Sequence, residues 1–300
     1  MKKLLAFLLA AIMMLGCTAA FTSCSDDSDL AYGKDYLAVA TQLDALNGLR
    51  KGDADIAVID SVMANYYMNT GDTYKDYKIL SGVVLAEEQY GIGAKKGNDA
   101  LIGKINEALI AIKDTEYQAV ATKYGLTTEL LVNASTTNPQ AEATDDSWNK
   151  IANAPDAKLV IGYTKFAPIA YDEGDGADAQ LVGFDIELAK AVVNYLNTTY
   201  GKSIEIEFVV IEWDQKESLL ENGSIDLVWN GMTITDERKE NMAMSVPYLA
   251  NKQVAVVKKS EAKNYGSNLE EFKEYTKDCI FIVEKGSAGE ALVAPDSVEE

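Results

Sequence analysis

Gly223-Ser-Ile-Asp-Leu-Val-Trp-Asn-Gly-Met-Thr-Ile-Thr-Asp-Glu-Arg238 packs the end of one strand and the start of one helix into a single short stretch. Gly223 stops a helix expected over Trp213 to Asn222. Ile225 to Trp229 is a short apolar strand, and Thr235-Asp-Glu-Arg238 opens the next helix. The same alternation runs outward in both directions. Upstream, Leu159 to Ile161 and Ile204 to Ile211 are strands. Between them, after a turn at Gly183, Phe184, Leu188, Val192 and Leu196 fall on one helical stripe. Downstream, strands over Gln253–Val257 and Ile280–Val283 flank a helix at Asn268–Tyr275, and Gly286-Ser-Ala-Gly289 begins a last helix.

The front of the chain follows the same pattern. Thr41 to Arg50 is a helix with Thr41 as a possible N-cap and Leu43, Leu46 and Leu49 along one face. Asp55 to Asp60 is a buried strand ending in an acid, and Ser61 to Met68 continues as a helix. Two short strands are expected at Gly82–Leu85 and Gly91–Lys95. A strongly amphipathic helix follows at Asn98–Asp114, then another at Glu116–Tyr124 closed by Gly125. Asn133 to Asp146 is rich in Ala, Thr, Asn and Asp, lacks a hydrophobic period and reads as a linker. Strands alternating with helices give an α/β sheet protein.

Bulk composition narrows function. The 300 residues are 48% hydrophobic, enough for one or two cored domains. A net charge of −20 repels phosphate backbones and argues against nucleic-acid binding. With no histidine, Ser-His-Asp and Cys-His catalysis and the commonest metal ligand are excluded. Lys2 and Lys3 precede an apolar run from Leu4 to Leu15, too short for a membrane span and in keeping with an export signal. Two stretches are similar to a bacterial lipobox, Leu15-Gly16-Cys17 and Thr22-Ser23-Cys24. Cys24 is the expected lipidation site and Cys17 the alternative, because the acidic tether Ser25–Asp29 follows Cys24 directly. Cys279 is then the only other cysteine of the mature chain, which leaves no internal disulfide.

Several segments together resemble the extracytoplasmic solute-binding proteins of ABC importers for polar amino acids, family 3. They are Gly162-Tyr-Thr-Lys-Phe166-Ala-Pro168, Leu181-Val-Gly-Phe-Asp-Ile-Glu-Leu-Ala189, Glu212-Trp213-Asp214, Asn230 to Arg238, Ser245-Val-Pro-Tyr248 and Gly286-Ser-Ala-Gly-Glu290. In the front half, Gly52 to Asp60 and Tyr90-Gly-Ile-Gly-Ala-Lys-Lys96 match as well. The resemblance covers roughly residues 36 to 130 and 150 to 295. It implies an α/β, two-lobed periplasmic-binding-protein-like fold of type II. The family's order, however, is the 166–290 block followed by the 55–125 block. Here the order is swapped, which is consistent with a circular permutant, with pieces of two tandem modules, or with an incomplete gene. The expected divisions are a signal and lipobox over 1–24 and a tether over 25–35. One lobe then takes 36–86 and 251–300, the other takes 87–130 and 150–250, and 131–149 is a linker.

The resemblance also assigns roles. Arg238 would hold a ligand carboxylate with its guanidinium fork, and Asp60 the ligand ammonium. Thr233 and Asn230 would add hydrogen bonds, directly or through Gly231 backbone groups. Ser287 and Ala288 would offer backbone N–H groups. Phe166 and Trp213 would sandwich the ligand side chain, and Tyr163, with Glu284 in reach, would line its subsite. Asp185 and Glu187 are placed at a helix N-terminus, favoured by its dipole, rather than in catalysis. The implied activity is capture of a free amino acid outside the membrane and delivery to an ABC importer's membrane subunits. The chain would be held to membrane lipid by an N-terminal acyl anchor and would need no cofactor or metal. Enzymatic relatives of the fold would need Glu284 or Glu290 as the cleft acid. A sensory module and a non-binding remnant are the remaining alternatives.

Overall fold

The structure, a computed structural model, describes residues 30–295 apart from Asp175. The signal segment, Cys17 and Cys24 lie outside the described residues. The chain begins with β1 (Asp35–Val39), α1 (Gln42–Lys51), β2 (Ile56–Asp60), α2 (Ser61–Asn69) and a long β3 (Tyr77–Lys95). Helices α3 (Asp99–Ala111), α4 (Glu116–Tyr124) and α5 (Ser147–Ala152) follow. Next come β4 (Lys158–Tyr163), a hairpin of β5 (Tyr171–Glu173) and β6 (Gln180–Val182), α6 (Phe184–Tyr200) and β7 (Glu205–Val210). The last third holds α7 (Lys216–Glu221), β8 (Leu227–Thr233), α8 (Asp236–Asn241), β9 (Met242–Met244), β10 (Leu249–Lys258), α9 (Leu269–Tyr275), β11 (Ile280–Glu284) and α10 (Ala288–Val293).

One sheet runs in the order β1-β11-β2-β10-β3-β8-β4-β7, with β9 added on β3. At one flank β1, β11 and β2 are parallel, and at the other β4 is parallel to β7 and β8. The antiparallel pair β3 and β10 lies between the flanks and joins them. Strands from the two ends of the chain are therefore neighbours: Asp35 lies opposite Ile280, and Val39 opposite Glu284. The Ala31 N–H also donates to the Val293 carbonyl at 3.0 Å. The two sequence halves share one sheet.

Period-two alternation explains how the β11 flank is covered on both faces. Ala57 and Ile59 of β2 join the main core with Leu46 and Leu49 of α1. Ile56 and Val58 point the other way, against Phe281, Val283 and Phe272. At the β4 flank, Ile105 and Leu109 of α3 and Leu188 and Val192 of α6 bury their apolar stripes in the same main core. Local signals set the helix ends. Thr41, Thr235 and Asn268 each accept the backbone N–H three residues on, and Gly52 and Gly125 turn left-handed behind α1 and α4.

Three expectations change. The strands expected at 82–85 and 91–95 are one strand, β3, with register shifts against β10. Gln253 pairs with Ala86 while Val254 pairs with Val84, so Leu85 is an extra residue, a bulge. Trp213 opens a short 3-10 turn before α7 rather than a continuous helix. The 133–146 segment is not a loose tether, because its polar side chains dock on α3. Asn138 donates to the Gly103 carbonyl at 2.8 Å, and Asp145 accepts the Ala100 N–H at 2.6 Å. Ser147 accepts the Leu101 N–H at 2.9 Å, so the segment supplies the caps that Asn98 does not give α3.

Candidate binding site

β2 and β11 run parallel, and both end at the same edge in an acid, Asp60 and Glu284. Across from them β8 ends at Thr233, two residues before α8 begins, and α8 carries Arg238. Strand ends at a break in sheet order are where open α/β sheets place ligands. A cavity of about 20 Å³ lies here, lined by Gln42, Asp60, Thr164, Phe166, Trp213, Asn230, Gly231, Thr233, Arg238, Gln253, Glu284, Ser287 and Ala288. That is far below the ~300–1,000 Å³ usual for small-molecule pockets. A roomier recess of about 420 Å³ between α3 and the docked linker contains none of these residues.

Nine of the ten residues expected at the site line this one cavity. Tyr163 does not. It faces the other side of β4, packs on Phe208 with ring centroids 6.2 Å apart, and shares a small cluster with Ala170 and Ile186. Alternation along β4 puts Thr164, not Tyr163, on the cavity side.

The buried guanidinium of Arg238 donates to the Thr233 carbonyl at 2.8 Å and to the Gly286 carbonyl at 3.3 Å. Among the described residues no carboxylate forms an ion pair with it. The buried Asp60 carboxylate is held by neutral amides: Gln42 and Asn251 donate to it, and Gln253 does so at 2.7 Å. Glu88, on β3, accepts from the same Asn251 and Gln253 at 2.9 and 3.1 Å, and from the Thr233 hydroxyl at 3.1 Å. Two buried acids thus share two amide donors. Burial pushes both carboxyls above their ordinary range, and for Asp60 the neighbouring Glu88 adds to this. Burial, then Asp60, raises Glu284 to about 8.

The Gln253 amide nitrogen donates to both buried acids. Its Oε1 is left without a donor, and Asn230 Oδ1 is in the same state. The Asn230 amide nitrogen donates to Thr164 at 2.8 Å. Both residues are 2% exposed.

Two amides expected to meet a ligand are already engaged. The Gly231 N–H donates to Asp185 at 2.8 Å, and the Ser287 N–H donates to the Glu284 carbonyl at 3.2 Å. The Ser287 hydroxyl is likewise used, as the cap of α10. Gly231 is required for a different reason. Its φ is +62°, and a Cβ there would lie 2.7 Å from the Phe166 ring.

Asp185 is in the first turn of α6, as expected, but it is 1% exposed and reaches across to β8 and beyond. It accepts from Gly231 and, at 2.7 Å, from the Tyr248 hydroxyl. Glu187 instead pairs with Lys123 and Tyr124 on α4.

The two walls touch where Tyr66 packs on Tyr171, ring centroids 5.8 Å apart, and at the Gly286 turn. Gly286, from the β11 side, puts its carbonyl on Arg238 and on Lys216 Nζ (3.1 Å). Lys285 pairs with Asp214 at 2.9 Å. Lys216 is 4% exposed, and burial lowers it to about 8. Among the described residues no group of three His, Cys, Asp or Glu side chains is placed to hold a metal. No described helix is long and apolar enough to cross a membrane.

Residues 159–293 match the family of bacterial extracellular solute-binding proteins, family 3. That span, a little under half of the chain, is similar to family 3 solute-binding proteins. The matched segment carries Arg238, Thr233 and Phe166, while Asp60 and Gln42 come from outside it. A probable histidine-binding protein of Neisseria gonorrhoeae is 32% identical over 129 residues, 43% of this chain and 45% of that protein. A solved structure of an ABC uptake transporter substrate-binding protein from Streptococcus pneumoniae, with bound histidine, is 36% identical. It covers 32% of this chain and 35% of that chain, at a TM-score of 0.26. The virulence sensor protein BvgS of Bordetella pertussis is 23% identical over 217 residues, 71% of this chain and 16% of the sensor. The chain thus spans less than half the length of the curated relatives it matches first.

Gln42, Thr164, Glu88, Asn251 and Gln253 are functional candidates that the sequence reading missed. Gln42 follows the capping Thr41 and is buried at the start of α1, where a polar residue signals a partner. Glu88 was hidden by the bulge at Leu85. Val83 and Leu85 point inward, and strict alternation would turn Glu87 inward. The extra residue turns Glu88 inward instead.

Proposed function

We propose that this chain binds one free amino acid outside the cell and passes it to the membrane subunits of an ABC importer. The carrying observation is a guanidinium and a carboxylate, Arg238 and Asp60, from opposite walls of one small buried cavity, neither of them ion-paired. Buried charges without partners are costly, and a zwitterion offers each its complement. The ligand carboxylate would take the remaining Arg238 donors, with Thr233 beside them. The ammonium would meet Asp60 and the donorless Asn230 Oδ1. Phe166 and Trp213 would flank the rest.

In this reading the β4 and β11 flanks are two lobes and the β3–β10 pair is the hinge between them. A ligand contacting both walls favours the closed form because only that form supplies both contacts. The swapped order is then a circular permutation. Its support is the run of β1 beside β11, with Ala31 bonded to Val293, as the two ends of an opened loop would lie. Cys24 would carry the lipid anchor. Calorimetric titration of the twenty amino acids into wild type and into Arg238→Ala tests the binding claim. Binding lost in the variant supports it, and an unchanged affinity rejects it.

One observation favours a second reading, a sensory module. The Bordetella sensor aligns over 71% of the chain, and any window that long includes the linker and residues on both sides of it. The order of elements found here therefore also occurs within a sensor. Ligand binding without transport in importer-reconstituted vesicles would favour this reading.

A further inference from the structure

We infer that Lys216, which does not itself line the cavity, sets how tightly this chain binds its amino acid: it grips the Gly286 turn of the far wall and latches the two walls together in place of a ligand. The latch goes beyond the proposed function and rests on it only for the presence of an amino-acid site between the walls.

A carbonyl oxygen has two lone pairs, and at Gly286 two buried cations of the opposite wall take them. Lys216 Nζ donates at 3.1 Å and Arg238 at 3.3 Å. Lys216 reaches this point from the start of α7, behind the cavity-lining Trp213. Its Nζ is 5.1 Å from the Trp213 ring centre and also donates to the Trp213 carbonyl at 3.2 Å. A lysine only 4% exposed is costly to bury unless its donors are met, and the far wall meets one of them. The charge is drawn to Glu217 and Asp214 on its own wall and to Glu284 on the far one. Both hydrogen bonding and charge therefore pull the walls together.

Other contacts flank the latch. Lys285 pairs with Asp214 at 2.9 Å, and Tyr66 meets Tyr171 at the second point of touch. Between these contacts the cavity keeps about 20 Å³, room for roughly one water. The smallest amino acid is several times larger than a water. An amino acid therefore enters only after the walls part, and the form that holds it is wider than this one. The Lys216 contact and the bound amino acid are then alternatives. A latch that occupies the chain in a form unable to bind lowers apparent affinity by the fraction so occupied.

The test is Lys216→Met, which keeps the stem and removes the charge and both hydrogen bonds. A change at Gly286 would not serve, because its φ of +69° strains any side chain and shifts the turn that carries the cavity-lining Ser287. Small-angle scattering without added amino acid is expected to give the variant a larger radius of gyration than wild type. Titration calorimetry of the twenty amino acids, one at a time, should show the variant binding its best amino acid roughly threefold or more tightly than wild type does. Binding should not make wild type more compact. Lys285→Gln, which removes only the outlying pair with Asp214, should act in the same direction to a lesser degree, and it carries the test if Lys216→Met does not fold. Equal radii for wild type and variants, an expanded variant that binds no more tightly, or contraction of wild type on binding each overturns the latch. If the latch fails while wild type binds an amino acid that Arg238→Ala does not, the proposed function stands. If the variants expand and no amino acid binds any of the proteins, the latch stands and the proposed function falls.

Discussion

Asp60 and Asp185 are both buried aspartates in a chain that carries 47 acidic residues, yet the fold treats them oppositely. Asp185 serves the architecture. Its carboxylate ties the start of α6 to the Gly231 backbone on β8 and to the Tyr248 hydroxyl, behind the cavity-lining Gly231 rather than on the cavity itself. Burial raises it to about 7. Asp60 faces a cavity, sits next to Glu284 and Glu88, and is held only by side-chain amides. The difference lies in what a buried charge is waiting for. Asp185 is tied to a backbone N–H and a hydroxyl through one oxygen, with the other left without a donor, while Asp60 meets amide side chains beside a cavity.

Substitutions can break that contrast. The largest effect is expected for Arg238→Ala. Removing one side of a buried charge pair costs roughly 2–5 kcal/mol of binding, so the ligand-dependent rise in melting temperature should disappear. Asp185→Ala should do the reverse. It strands the Gly231 N–H and the Tyr248 hydroxyl at ~1–3 kcal/mol each and lowers the ligand-free melting temperature. The ligand-dependent rise should persist, as thermal unfolding with and without ligand would show. Asp60→Asn removes a buried charge that nothing in the ligand-free chain neutralises. Its ligand-free stability should equal or exceed wild type while binding falls at least a hundredfold by titration.

Smaller effects sharpen the picture. Gly286 has φ +69°, and a Cβ there would lie 2.9 Å from the Asp214 Cα across the contact between the walls. Gly286→Ala should weaken binding severalfold with a strain cost of ~1–3 kcal/mol, measured by denaturant unfolding beside titration. The mildest test is pH. Glu284 and Asp185, raised to about 8 and 7, bind protons in the folded chain that the unfolded chain has already released. Ligand-free stability should therefore fall as pH rises from about 4.5 to 8. Denaturant unfolding across that range measures it, and a flat stability profile would contradict the raised carboxyls.

Much of this was legible in the sequence, because Thr233-Ile-Thr235 and the capped helix behind it fix Arg238 at a strand end, and the apolar strand before Asp60 fixes the acid likewise. Periodicity also gave α1, α3 and α6. The rest was hidden where local signals compete. The bulge at Leu85 inverted the alternation that would have revealed Glu88. Asn251 and Gln253 sit on β10, where a polar residue looks like an exposed edge until its neighbour across the sheet is known. Tyr163 was placed one residue out of phase with the cavity side of β4. The 133–146 linker has no hydrophobic period, and its docking rests on Asn138, Asp145 and Ser147 hydrogen bonds that only the folded α3 makes visible.

The central claim is that Arg238 and Asp60 hold one zwitterion between two walls. Titration calorimetry of the purified chain against the twenty amino acids, repeated on an Asp60→Asn, Arg238→Ala double variant, measures it directly. The account predicts one-to-one binding of at least one amino acid by wild type and none by the double variant. Equal binding by both, or no binding by wild type, would contradict it.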